Sequence, residues 1–283
     1  MRSIFSPSQF SESASPPPLA GRTHPNAQLS GSQSVYRAVA VLRRVARHND
    51  QGITASAMAS EQGLTTATAH RLLKVLTGEG LLTFDPYSKK YHLGLDLYTL
   101  GIAARHYGLK DLLAGPMEKM REHSRDTIFL VVRSGADALC LERLDGDFPI
   151  RKLTLGVGSR RPLGVGAGGL ALLAAESDQV VEQVVSYNGR LYADYGDFTS
   201  EEIRAAVADT RKRGTSFNDG RLRDEVRAVG MAIGLPGETP LASISIATSV
   251  VRMEASRRAE LEALLRTEIG ALDSRLLRDA SIS

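Results

Sequence analysis

The stretch ITASAMASEQGLTTATAHRLLKVLTGEG, residues 53–80, constrains the fold most, because it packs two helical patterns around one tight turn. In the second pattern Ala69, Leu72, Leu73 and Leu76 fall at i, i+3, i+4 and i+7, the spacing that lines one face of an α-helix. Turning by roughly 100° per residue puts Ala67, His70, Arg71 and Lys74 on the opposite wall. Thr65 can cap the start, since its hydroxyl can accept from a free backbone N–H. Gly78 and Gly80 mark the end, and Glu79 is the only acid. Taken alone, this helix fits a solvated surface face as well as a binding face. Its context decides. A short helix ending at Gly63, a turn of a few residues, and a helix with a small-residue polar wall together predict a helix-turn-helix.

A hairpin is expected next. Leu81–Phe84 and Tyr91–Leu93 read as strands around the turn Asp85-Pro86-Tyr87-Ser88, presenting Lys89 and Lys90 side by side. A basic hairpin directly after a helix-turn-helix is a wing suited to phosphate contact. Small side chains on the helix wall allow the backbone close to a major groove, while Arg71 and Lys74 reach bases or phosphates. An earlier helix is marked by Val35, Ala38, Val39, Leu42, Val45 and Ala46. Between Ser34 and Gly94 stand eight Lys or Arg against four acids, which carries the positive balance of a chain whose net charge is only +3.

At 283 residues the chain is long enough for two domains. Residues 1–32 are rich in Ser and Pro and are expected to be a disordered tail. Residues 33–94 form the winged unit. Residues 95–124 read as linker helices with a break near Gly108 and a kink or turn at Pro116. Residues 125–279 mix strands and helices, as in an α+β sensor domain. Its strands are TIFLVVRSG, ALCLERLDG, RKLTLGVG, SFN, VRAVGMAIGL and LASISIAT, with Pro236-Gly237-Glu238-Thr239 as a hairpin turn. Helices are expected from Gly166, from a capping box at Thr199 and Glu202, and from about Met253 to Leu277.

Several chemistries find no residues. One cysteine, Cys140, excludes an internal disulfide and a cysteine-built zinc site, and its apolar setting suits a buried structural thiol. The histidines show no metal-ligand pairing, with His106 and Tyr107 read as helix surface or dimer contact. No nucleophile–base set emerges, and no cofactor is called for. Gly164, Gly166 and Gly169 satisfy G-x-G-x-x-G, but Arg160-Arg161-Pro162 rather than a recognisable strand leads in, and no acid follows at the end of a next strand, as dinucleotide binding requires. A turn that admits a small ligand to backbone N–H groups and a bare packing turn both remain open. No apolar run approaches the ~20 residues that cross a bilayer, and no signal segment is seen, so a cytoplasmic protein is expected.

Taken together, SVYRAVAVLRRV, GLTTATAHRLLKVLTGEGLL, YHLG, VGSRRPLGVGAGGLALLA, GTSFND and VRAVGMAIGLPGETPLASISIA resemble the IclR family of bacterial transcriptional regulators. The resemblance covers roughly Gln33 to Met253. It implies a winged helix-turn-helix, a linker helix and a C-terminal effector-binding domain related to GAF folds. It also implies dimers, or dimers of dimers, on palindromic operators of double-stranded DNA, controlling catabolic genes in response to small carboxylates. Carried over by position, the DNA-reading residues are Thr66, Ala67, Thr68, His70 and Arg71. The effector pocket falls on Ile150, Leu153, Ala167, Gly168, Asn218, Ala228, Ser245 and Ala247. The chain departs from the family's pattern at Leu170, where a lysine is common, and at Gly164, where a histidine is. Asn218 replaces a common aspartate, Ala228 a common cysteine, and Ala247 lacks a hydroxyl sometimes present. A less polar pocket follows.

The reading is a ligand-responsive, DNA-binding regulator without enzymatic activity. The alternatives are a metabolite-processing enzyme with an N-terminal docking domain, and a winged helix used only for protein contact.

Overall fold

The computed structural model describes residues 33–102, 107–148, 155–222, 224–234 and 238–272. The tail 1–32, His106, Ile150, Leu153, the first half of RKLTLGVG, Pro236-Gly237 and residues 273–277, expected as the end of the last helix, lie outside the described residues.

Three helices, α1 (Gln33–Arg47), α2 (Ala55–Gln62) and α3 (Thr66–Gly78), open the chain. Their apolar stripes meet in one core of Val41, Val45, Met58, Ala69, Leu73 and Leu76. Each later helix starts on a threonine: Thr54 accepts from the Ala57 N–H at 3.3 Å, and Thr65 from the Thr68 N–H at 3.2 Å. Gly63 has φ +60°, a conformation that costs a residue with a Cβ about 1–2 kcal/mol, so the chain can leave α2 and enter α3 within three residues.

The wing follows as β1 (Leu82–Asp85) and β2 (Lys90–Leu93), antiparallel, with Asp85 opposite Lys90. The Asp85 carboxylate accepts from the Tyr87 N–H at 2.9 Å and the Ser88 hydroxyl at 2.5 Å, which shapes the turn. Leu82 and Tyr91 anchor the hairpin in the helical core.

Two more helices come next, α4 (Asp96–Ile102) and α5 (Tyr107–Ser124). The two helices expected here are present, with α5 beginning at Tyr107 beside the break expected near Gly108, and Pro116 lies inside α5 rather than ending it. Proline removes one backbone donor, but Leu113, Met117 and Met120 on both sides of it are buried, and that packing holds the helix through the defect. α5, read from sequence as linker, therefore belongs to the core of the second unit.

Among the described residues that unit is built on a six-stranded antiparallel sheet. Its elements are β3 (Thr127–Ser134), β4 (Asp137–Leu144), β5 (Arg160–Pro162), α6 (Gly166–Ala174), α7 (Asp178–Asn188), α8 (Ser200–Arg213), β6 (Ser216–Asn218), β7 (Val226–Ile233), β8 (Ala242–Ser249) and α9 (Ala255–Gly270). The strand order is β5-β4-β3-β8-β7-β6. β3 is apolar on both sides because both sides are covered. Ile128, Leu130 and Val132 pack with α5 and α9, while Phe129 and Val131 face α6.

Only the second half of RKLTLGVG is among the described residues, and it is not strand; the next described strand is β5. Gly156–Ser159 form a turn instead, with the Ser159 N–H donating to the Gly156 carbonyl at 3.0 Å. A short strand therefore does lead into the glycine-rich turn. α7 is an addition to the sequence reading, capped by Ser177 and buried through Val181, Val184 and Val185. The capping box at Thr199 and Glu202 is formed.

A buried carboxylate ties α5 to the sheet and to α9. Asp126, fully buried, accepts from Thr248 Oγ1 at 2.7 Å, from Arg252 Nε at 3.1 Å and from Arg257 Nη2 at 3.0 Å. The same Arg257 donates to the Ser124 carbonyl at the end of α5.

Candidate DNA-reading face and effector pocket

The outward wall of α3 is bare. Thr66, Ala67, His70, Arg71 and Lys74 are exposed, and Thr68 is half-buried beside the cap, its Oγ1 2.8 Å from Thr65 Oγ1. Ala69, Leu73 and Leu76 bury the other side, so the wall cannot turn inward without unmaking the core. Among the described residues, neither Arg71 nor Lys74 is ion-paired. Arg44, by contrast, is bound by Glu61 at 2.9 Å on α2.

The two wing lysines part company. Lys89 is exposed with φ +58°. Lys90 is half-buried, and its Nζ donates to the Gln51 carbonyl at 2.8 Å in the loop between α1 and α2. The expectation of two lysines side by side is therefore corrected. β2 is stitched to that loop by Ile53 and Tyr91, by Asn49 Oδ1 accepting from the Leu93 N–H, and by Lys90 itself. What the wing does present is Tyr87, 96% exposed at its tip. A further cation was missed. Arg37 of α1 lines one surface groove with Thr68 and Arg71, and it too is unpaired among the described residues.

The second site lies where α6 begins. Gly168 and Gly230 let this helix lie flush on the sheet: a Cβ at Gly168 would stand 3.0 Å from Val131 Cγ2, and one at Gly230 would stand 2.9 Å from the Ala167 carbonyl oxygen. Ser216 Oγ donates to the Ala167 carbonyl at 2.6 Å and Ser243 Oγ to the Gly168 carbonyl at 2.9 Å, fixing the seat. Tyr192, buried, donates to the Leu163 carbonyl at 2.9 Å and holds the turn that precedes the helix.

Small residues of the first turn of α6 and of the facing strands leave room above the sheet. The resulting pocket is a narrow cleft partly open to solvent. Ala167, Gly168, Asn218, Ala228, Ser245 and Ala247 all line it, brought together from α6, β6, β7 and β8. Ile150 and Leu153 lie outside the described residues. Sequence reasoning missed the apolar walls Phe129, Val131, Leu222 and Val226, and one charged residue, Arg161. The pocket is therefore not simply less polar than the family's pattern. Cys140 also lines it, but burial pushes this thiol up to about 12, so it is an inert wall rather than a nucleophile. Among the described residues no group of His, Cys, Asp or Glu is arranged to hold a metal, and no helix is long and apolar enough to cross a membrane.

A winged helix-turn-helix joined to a sheet domain with a pocket is the architecture of a DNA-binding regulator. Residues 34–86 match the IclR helix-turn-helix domain, and residues 102–273 match the bacterial transcriptional regulator IclR C-terminal domain. The transcriptional repressor IclR of Escherichia coli K12 is 23% identical over 237 residues, 82% of this chain and 86% of that one. The transcriptional repressor AllR of the same strain is 28% identical over 172 residues, 60% of this chain and 62% of that one. Among solved structures, Thermotoga maritima IclR superposes with a TM-score of 0.67 at 17% identity, covering 88% of this chain and 98% of that one. An IclR homologue from Microbacterium hydrocarbonoxydans complexed with 4-hydroxybenzoate gives 0.68 at 23%, covering 87% and 100%. At these identities the structural likeness is one of fold. The chain belongs to the IclR family: it is a DNA-binding transcriptional regulator, and nothing in these comparisons supports an enzyme.

Proposed function

We propose that the protein controls catabolic genes by binding a palindromic operator as a dimer, or a dimer of dimers, in response to a small organic acid. In this reading residues 33–94 bind DNA, the helices across 95–124 carry the signal, and the sheet domain senses the ligand. The observation that carries it is the outward wall of α3: small, cationic, unpaired, and fixed outward by the leucines behind it. Thr66, Ala67, Thr68, His70 and Arg71 enter the major groove, with Lys74 toward its edge. Arg37, Lys89 and Tyr87 meet the flanking backbone, and Lys90 braces the wing.

Dimerisation is supported by apolar side chains left outside on two helices: Val35 and Val39 of α1, and Tyr98 and Leu100 of α4. An acid effector is supported by the pocket at the α6 N-terminus, where backbone N–H groups favour an anion. It also agrees with relatives described as an acetate operon repressor and as a homologue holding 4-hydroxybenzoate. Signal transfer needs a ligand that binds two dimer arrangements unequally. α5 is the candidate transmitter, since Asp126 and Arg257 bind its end to β8 and α9.

Footprinting on the DNA flanking the gene, with and without an acid panel, tests this. Two symmetric protected half-sites spaced by whole helical turns, about 10 base pairs each, are expected, with occupancy altered by one acid. Protection without symmetry, or no response to any acid, contradicts it.

A further inference from the structure

A second cavity lies between α8, the edge strand β6 and the loop that follows it. Its volume is about 250 Å³, far above the roughly 10–15 Å³ that admits one water. It shares Gly166 and Asn218 with the pocket described above, and its remaining walls are its own. α8 turns one stripe toward it: Ala206, Asp209, Thr210 and Arg213 fall at i, i+3, i+4 and i+7.

The pointer to a ligand is Thr215. It is 1% exposed and lines the cavity, and its Oγ1 has no hydrogen-bond partner among the described residues. Both chain neighbours are committed, since the Gly214 N–H donates to the Thr210 carbonyl and Ser216 Oγ to the Ala167 carbonyl. A hydroxyl offers one donor and two acceptor sites, and burying it with none in use is unfavourable unless a ligand or ordered water meets it.

The same cavity carries charges of both signs. Asp209 and Arg213 make no side-chain hydrogen bond or ion pair among the described residues. At i and i+4 their Cβ atoms stand about 5–6 Å apart, near enough to pair, yet they do not close on each other. Asp219, on the loop after β6, adds a second carboxylate, one oxygen of which accepts from the Arg221 N–H at 3.2 Å. Glu202 and Arg221 are also in the wall but pair with each other. Leu170, Ile203 and Phe217 supply apolar surface.

We propose that this cavity is a second ligand site, separate from the effector pocket, and that it takes a free α-amino acid with a small apolar side chain. Arg213 holds the carboxylate, Asp209 and Asp219 hold the ammonium, and Thr215 Oγ1 hydrogen-bonds one of the two. The side chain lies on Leu170 and Ile203. A zwitterion fits because a plain acid would face two carboxylates without neutralising them, and a plain amine would leave the guanidinium unmatched. A polyol would satisfy Thr215 and neither charge.

The test is calorimetry on the full chain with L-alanine, L-valine and L-leucine, each beside its deaminated acid and its decarboxylated amine, and with glycerol as the neutral probe. The best amino acid should bind roughly tenfold or more tighter than its own acid or amine, the scale of one charge-assisted contact. Arg213→Gln should weaken it roughly tenfold and Thr215→Val about fivefold. Thr215→Val carries a second readout. Removing an unpartnered hydroxyl at nearly constant shape should leave the ligand-free Tm unchanged or raised, whereas loss of a hydroxyl bonded within the protein would lower it. Operator binding by both variants reports that they are folded. Acid taken up by the effector pocket is recognised by its indifference to Arg213→Gln, so the two sites separate. No heat with any amino acid, a preference for glycerol, amino-acid affinity that survives both substitutions, or a lowered ligand-free Tm in Thr215→Val overturns the proposal.

Discussion

Gly230→Ala is the most informative single perturbation of the sensor, because its effect can be built from distances. The new methyl would stand 2.8 Å from Ser216 Oγ and 2.9 and 3.0 Å from the Ala167 carbonyl oxygen and carbon. Two of these atoms are backbone at the start of α6, so the helix itself must move rather than a flexible side chain. Overpacking of this kind costs about 1–3 kcal/mol, and weakening the Ser216–Ala167 hydrogen bond adds about 1 kcal/mol. Restricting the unfolded chain returns about 0.4–1 kcal/mol. The net loss is about 2 kcal/mol, or roughly 4–8 °C in Tm for a domain of this size. Far-UV circular dichroism suits the melt, since the chain has no tryptophan. Effector binding should weaken as well, because Ala167 and Gly168 line the pocket. Gly270→Ala is the control: among the described residues nothing outside its own helix backbone and chain neighbours lies within 4 Å of the added methyl, and it should leave Tm unchanged or slightly raised. A Gly230→Ala protein that melts and binds like wild type would refute the close seating of α6 on the sheet.

Two further outcomes are expected. Thr65→Ala removes the cap of α3 and should cost about 1 kcal/mol in urea unfolding of the winged unit, with Thr65→Ser restoring most of it; equal stability of Ala and wild type would mean the cap is not formed in solution. Glu202 is held down to about 2 from its ordinary 4.5, first by the Arg221 hydrogen bond, then by the Thr199 N–H and hydroxyl. The folded state thus binds this proton more weakly than the unfolded state, so the stabilisation is present above about pH 4.5 and is lost as pH falls toward 2. Glu202→Gln should flatten the fall in Tm across that window, and an identical pH profile would contradict it.

The reading helix was legible because its signals are local. A cap, a 3.6-residue stripe and two terminating glycines all lie within residues 65–80. The glycine-rich turn was legible for the same reason. What escaped depends on contacts distant in sequence. Lys90 is diverted by the carbonyl of Gln51, 39 residues earlier. Arg37 joins Arg71 only once α1 packs beside α3. Arg161 enters the pocket because β5 pairs in register with Ala138, and a run of two arginines cannot announce which of them faces inward. Pro116 misled because α5 is held by buried methionines and leucines, which override a local breaking signal.

The central claim is that the exposed wall of α3 reads base pairs. It is tested most directly by titrating Arg71→Ala and wild-type protein against the footprinted operator and a scrambled duplex over a range of salt. The account predicts a loss of about 1–3 kcal/mol on the operator with little change on the scrambled duplex. Equal operator affinity for the two proteins would contradict it, and an even loss on both duplexes with a shallower salt slope would demote Arg71 to a phosphate contact.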